Sequence, residues 1–239
     1  MDRLIDWIRN YKFSVSDPPI ITMEGVFSLL LLLLLSIAAV TFHLIRILFN
    51  SPVDFSLDWN LFLSWIPLII AFLADTLTKR FDSNVIIITL LSVTWIAFLP
   101  NAPYMITDLA HLTVDYQRDL TWHDIIMLFS YAEVSLFNGL VSLYWIHRSW
   151  RRVFEKRTAN ILLLISLPLA GFGVYLGRVR RMNSWDIIHE PEAIIKNLFE
   201  SILDRTAWVF SMEIGMLLGI LYLVLWAIIR FRIRHSRKS

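Results

Sequence analysis

FLPNAPYMITDLAHL, from Phe98 to Leu112, is the stretch on which the reading of this chain turns. It begins as the end of an apolar run that opens near Val85, breaks at Pro100 and Pro103, and resumes with Thr107, Asp108 and His111. The run before the break holds about 15 residues, whereas a helix needs ~20 to cross the hydrocarbon of a bilayer. The shortfall predicts that Pro100 to Met105 still lies at membrane depth. Non-helical backbone survives there only where protein or a water-filled cavity covers it.

The rest of the chain agrees that a bilayer is the solvent. Of 239 residues, 57% are hydrophobic and only 18% charged, against about 25% charged in a soluble domain. The mean hydropathy is +0.61. With no cysteine, disulfides, thiolate metal sites and a cysteine nucleophile are excluded. Nothing in the pattern points to nucleic acid; the expected partner is the lipid bilayer.

Six apolar runs predict six spans: Val26 to about Leu48, which carries seven consecutive leucines at Leu29 to Leu35; Trp59 to Ala74, with Pro67 inside; Val85 to Leu99; Ile125 to Ile146; Ile161 to Leu176, loosened by Pro168, Gly171, Gly173 and Gly177; and Trp208 to about Ile229. Asp75 to Asp82 reads as a short polar loop. Pro191 to Leu203 reads as an amphipathic surface helix, with Ile194, Ile195, Leu198, Ile202 and Leu203 on one side. The expected fold is an all-α integral membrane helical bundle of about six transmembrane helices. Residues 1–25 form an interfacial N-terminal segment, 26–229 the membrane domain and 230–239 a basic tail. The N-terminal segment shows no cleavage pattern, so the first run reads as a retained anchor.

Lysine and arginine placement sets the orientation. With the N-terminus in the cytoplasm, 15 of the 22 basic residues fall in inside segments and seven outside. Both termini are therefore expected in the cytoplasm, with the Asn101 and Arg178 stretches together on the extracytoplasmic side. Arg178, Arg180 and Arg181 run against the positive-inside trend, which makes them residues to explain.

Those two stretches hold most of the candidate chemistry. If the residues after the break form an α-helix, Tyr104, Asp108, His111 and Asp115 share one face. A carboxylate and an imidazole three residues apart on one face suit proton transfer or one divalent metal. Asp186 and His189 repeat the spacing, so Asp108, His111, Asp186 and His189 are the candidate ligands of a possible divalent metal. Helix capping by Thr107, Asp108 or Asn183 is the commoner use of such residues. The three arginines fit recognition of an anion such as a lipid phosphate, or pairing with Asp108, Asp115 and Asp186 across the bundle. Glu133 and Glu213 lie inside apolar runs, where a charge costs ~2.5–3.5 kcal/mol on the gentlest scale. Glu133 is the better candidate member of a site. The tryptophans cluster near span ends, as an interfacial belt does.

FLPNAPYMITDLAHL and, at Tyr175 to Asp186, YLGRVRRMNSWD resemble a family of bacterial multi-pass membrane proteins catalogued as domain of unknown function 1361. The resemblance covers most of the chain from the first span onward. It implies a bacterial cytoplasmic (inner) membrane protein, and it carries no activity. It draws attention to Pro100, Asn101, Pro103, Tyr104, Asp108, His111, Arg178, Asn183 and Asp186. The second motif ends at Asp186 and leaves His189 outside it.

Three functions compete on these observations. One is an intramembrane enzyme acting on a lipid or lipid-linked group, with Asp108, His111, Glu133 and Asp186 as catalytic candidates and Asn101, Tyr104, Arg178, Arg181 and Asn183 holding the lipid or an anionic small molecule. The second is a transporter or flippase, which a broken helix and Glu133 suit. The third is a non-catalytic partner or sensor in an envelope complex.

Overall fold

The computed structural model describes residues 23–48, 55–80, 85–110, 122–182 and 191–236. These form α1 (Met23–Leu48), α2 (Phe55–Arg80), α3 (Val85–Phe98), a single turn α4 (Asn101–Tyr104), a 3₁₀ segment (Met105–Ala110), α5 (Trp122–Val153), α6 (Lys156–Arg178), α7 (Pro191–Leu203) and α8 (Arg205–Ser236). Among the described residues six stretches are long and apolar enough to cross a membrane, the third being Val85–Ala110 taken through the break. The protein is a multi-pass helical membrane bundle. His111, Asn183, Asp186 and His189 lie outside the described residues.

α5 is the central element and packs against α1, α2, the 3₁₀ segment, α4, α6 and α8. Between lipid-facing helices apolar side chains give no advantage over lipid tails, so small residues and hydrogen bonds must hold the contacts. The buried face of α5 follows that rule, with Ser135, Asn138, Gly139, Ser142 and Ser149 along it. Asn138 donates to Ser64 Oγ at 2.9 Å, and Trp95 Nε1 donates to Ser142 Oγ at 3.2 Å. Contacts between α2 and α5 recur at a constant offset of 73 or 74 residues, at Asp58–Tyr131, Ser64–Asn138 and Asp75–Arg148. A constant offset means that the two helices run parallel. Asp58 and Asp75 therefore sit at opposite ends of the bundle, here called the Asn101 end and the Arg148 end.

Two local expectations are corrected. Asp75 is not in a loop: α2 continues to Arg80, and Asp75 is only 3% exposed. Its carboxylate is held by Arg148, Arg152 and Lys79, so helix can continue where composition suggests a polar break. The break at Pro100 is also not an open loop. Leu99 and Pro100 form a turn, Asn101–Tyr104 a turn of α-helix, and Met105–Ala110 a 3₁₀ helix. Alpha-helical spacing from Tyr104 to Asp108 does not hold through Met105–Ala110, because a 3₁₀ helix has three residues per turn; His111 and Asp115 lie outside the described residues.

Candidate functional site

At 1.5 Å per residue, the 14 residues of α3 cover about 21 Å, less than the ~30 Å hydrocarbon core. The break segment completes the crossing, and its exposed backbone must be satisfied inside the protein. Asn101 and Thr107, which the sequence singles out, and Ser135 of α5, which it does not, do this. Asn101 Nδ2 donates to Phe98 O at 3.0 Å, which closes the end of α3. Ser135 Oγ donates to Ala102 O at 2.7 Å, and Thr107 Oγ1 to Tyr104 O at 2.6 Å.

Glycines let the helices close on this segment. A Cβ at Gly139 of α5 would lie 2.8 Å from Ala102 Cβ, one at Gly173 of α6 would run into the Pro100 ring, and one at Gly177 would lie 3.1 Å from Tyr104 Cε2. The break is therefore wedged between α5 and α6. Nearer the middle of α6, Gly171 lies against the backbone of Ser211 in α8.

The wedge brings the two polar stretches together. Arg178 Nη1 donates to Asp108 Oδ1 and Nη2 to Thr107 O, both at 2.8 Å. The guanidinium also lies over the Tyr104 ring, 5.6 Å from its centroid. Of the two arginine readings, the structure thus realises pairing across the bundle for Arg178. Asp108 is buried and Arg178 partly so.

The neighbouring arginines differ. Arg180 Nε donates to Ser201 Oγ at 3.2 Å, and its Nη1 lies 3.5 Å from Glu200 Oε2. Tyr175 donates to Asp204 Oδ2 at 2.6 Å, and the Thr206 N–H to Asp204 Oδ1 at 2.8 Å. The Tyr175 hydroxyl, with Thr206 second, holds the Asp204 carboxyl below its usual range. These contacts fix α7 against α6 and α8. Its Ile195, Leu198, Phe199, Ile202 and Leu203 are exposed, as suits a helix lying in the membrane interface. Arg181 is exposed, with φ at 55°. That left-handed conformation costs a residue with a Cβ roughly 1–2 kcal/mol.

Glu133 does not join this group. It is exposed on α5, on a face with exposed Ile126, Phe129 and Phe137. Glu213 is likewise exposed on α8, beside Met212 and Met216. Among the described residues no three histidine, aspartate or glutamate side chains converge as a metal site.

The same end holds a second polar group that the spacing of the sequence did not suggest. The buried His43 imidazole donates from Nδ1 to Asp58 Oδ2 at 3.0 Å, and the Tyr131 hydroxyl donates to Asp58 Oδ1. Arg46 pairs with Asp124, and His123 Nε2 donates to Phe42 O at 2.9 Å. These partners come from α1, α2 and α5, up to 88 residues apart. Their only local signal is that each polar residue stands at the same end of an antiparallel or parallel span.

A family model described as "Protein of unknown function (DUF1361)" matches residues 59–221. No curated protein and no solved structure matches the chain.

Proposed function

This chain belongs to the DUF1361 family, and from that premise we propose that it binds the anionic head of a lipid or lipid-linked group at the Asn101 end and acts on it there as an intramembrane enzyme. The observation that carries the reading is Arg181, an arginine held at φ 55° where glycine would be free of strain. Strain of this kind concentrates where a side chain is needed for a task. Arg181 is exposed and follows Arg180, which ties this turn to Ser201 and Glu200 of α7, so its guanidinium is offered to a phosphate headgroup where α7 meets the interface. Arg178, occupied by Asp108 and Thr107, is a positioning residue. Asp108, held as a buried carboxylate, is the acid–base candidate, with His111, Asn183 and Asp186 as further members on the strength of the sequence. His43, oriented by Asp58, offers a second acid–base group, but both precede the matched residues 59–221, which favours Asp108 for a task common to the family.

The lysine and arginine distribution supports placing this end outside the cytoplasm of a bacterial inner membrane, with both termini inside. The test compares Arg181→Gly, Arg181→Gln and Asp108→Asn, reading protein level, co-purifying lipid and envelope lipid composition. The proposal expects Arg181→Gly to keep the fold and lose the bound anionic lipid, and Asp108→Asn to change the composition. Unchanged bound lipid and unchanged composition in all three would refute it.

A second reading, a partner within a membrane complex, is favoured by Glu133. It lies nine residues from Asp124 and fifteen from Arg148, or about 13 and 22 Å along α5, and it is exposed. A carboxylate facing lipid near mid-membrane is relieved by a partner helix that brings a donor or a cation.

A further inference from the structure

At the Arg148 end, far from the groups above, three cations converge on one acid. Arg148 Nε donates to Asp75 Oδ1 at 2.6 Å and its Nη2 to Oδ2. Arg152 Nη1 donates to Asp75 Oδ1 at 2.7 Å and to Thr78 Oγ1 at 3.2 Å. Lys79 Nζ lies 2.6 Å from Asp75 Oδ2. Arg148 also rests on the Tyr144 ring, 5.4 Å from its centroid. Among the described residues Asp75 is the sole carboxylate paired with any of the three cations, so the group carries a net charge of +2. All three cationic side chains are less than a third exposed, so water screens them poorly. Among the described residues Arg152 makes these contacts through Nη1 alone, and no described acceptor takes up the Nε and Nη2 donors. The group lies toward the ends of two apolar candidate spans, Ser56–Lys79 and Trp122–Val153.

A buried-side excess of positive charge calls for an anion, and a pair of guanidinium N–H groups matches two oxygens of a phosphate. We propose that Lys79, Arg148 and Arg152, pre-organised by Asp75, form a binding site for a phosphate anion, the phosphodiester of an anionic phospholipid in the leaflet at that end. This site is separate from the proposed Asn101-end function and does not depend on it.

The test uses the full chain in nanodiscs of phosphatidylcholine, with and without phosphatidylglycerol, and in a third arm with inorganic phosphate. Binding is read as lipid retained on transfer to detergent and as a shift in thermal unfolding. Each direct, charge-assisted contact to a bound phosphate is worth roughly fivefold in affinity, whereas an exposed charge without such a contact is screened by water and salt. Lys79→Gln with Arg152→Gln keeps the Arg148–Asp75 pair and should weaken phosphatidylglycerol binding roughly 25-fold. Arg151→Gln with Arg157→Gln removes as much charge from exposed positions at the same end and should cost only a few-fold. Asp75→Asn raises the net charge and should not weaken binding where the protein still folds. A response to phosphatidylglycerol alone, or also to inorganic phosphate, supports the site and assigns its source. Equal retention of both lipids with no phosphate response, or equal losses in the two double variants, overturns it.

Discussion

Gly173→Ala probes the wedge on which the Asn101-end geometry rests. The added methyl would meet Pro100 Cγ well inside contact distance and lie 2.8 Å from Pro100 Cβ. Ordinary contact begins near 3.4 Å, so α6 and the break must part by about 1 Å. Proline cannot swing aside as a flexible side chain can. Overpacking of this kind costs about 1–3 kcal/mol, offset by up to ~1 kcal/mol from the better helix propensity of alanine. The net expectation is a loss of about 1–2 kcal/mol. Gly219→Ala in α8 is the matched control, because its nearest neighbour is a rotatable methyl, Leu167 Cδ1, at 3.2 Å. It should be neutral or gain about 0.5 kcal/mol from propensity. A difference of ~2 kcal/mol corresponds to about 4–8 °C in Tm for a chain of this size. Thermal unfolding of the detergent-solubilised variants, followed by the fluorescence of the ten tryptophans, measures it. Gly173→Ala as stable as Gly219→Ala would show that Pro100 does not seat against α6.

Three further outcomes follow from the same contacts. Because the chain has no cysteine, Ala102→Cys with Gly139→Cys should form a disulfide under mild oxidation, since the two Cβ positions, 2.8 Å apart, need part by only about 1 Å to reach disulfide spacing; two freely alkylated thiols after oxidation would contradict the α4–α5 contact. Glu133→Leu should stabilise the isolated protein in detergent by about 1 kcal/mol or more, because the carboxylate faces lipid, while disrupting any complex that the second reading requires; a destabilised isolated protein would place Glu133 in an internal role. The Tyr175–Asp204 tie lowers the Asp204 pKa, so its contribution is complete above the unfolded carboxylate range and is lost as pH falls through the lower folded value. The protection of the α7 amides, corrected for the slower intrinsic exchange at low pH, should therefore fall on acidification in the natural protein and be already low, and less sensitive to pH in that range, in Asp204→Asn.

Much of this architecture was legible in the sequence because membrane spans are written in unbroken apolar runs. Pro191–Leu203 has the bounds that its amphipathic pattern predicts. Pro100 and Pro103 mark where the third apolar helix breaks, and the small residues of α6 mark its close contacts. The helix after the break was misjudged in kind, since α and 3₁₀ turns share the same residues and differ in how tightly Pro100, Pro103 and their neighbours pack. The ends of α2 were also misjudged. Asp58 and Asp75 look like loop residues until His43 and Tyr131 are seen to hydrogen-bond to the one, and Arg148 and Arg152 to pair with the other, across gaps of 15 to 77 residues. Glu133 shows the opposite failure. Period alone says that it lies in a span, and only the packing of α5 decides whether it faces the core or the lipid. The meeting of Asp108 with Arg178 was one of two open readings, because span order placed the stretches at one end without fixing their contact.

The most direct test of that meeting is an exchange of charges. Arg178→Asp would set two carboxylates against each other and Asp108→Arg two guanidiniums, so each single reversal should lower folded protein yield and unfolding temperature sharply. The double variant Asp108→Arg with Arg178→Asp should recover a substantial part of both if the side chains touch as described. A double variant as damaged as the sum of the two singles would contradict a direct pair, and with it the site built around the break.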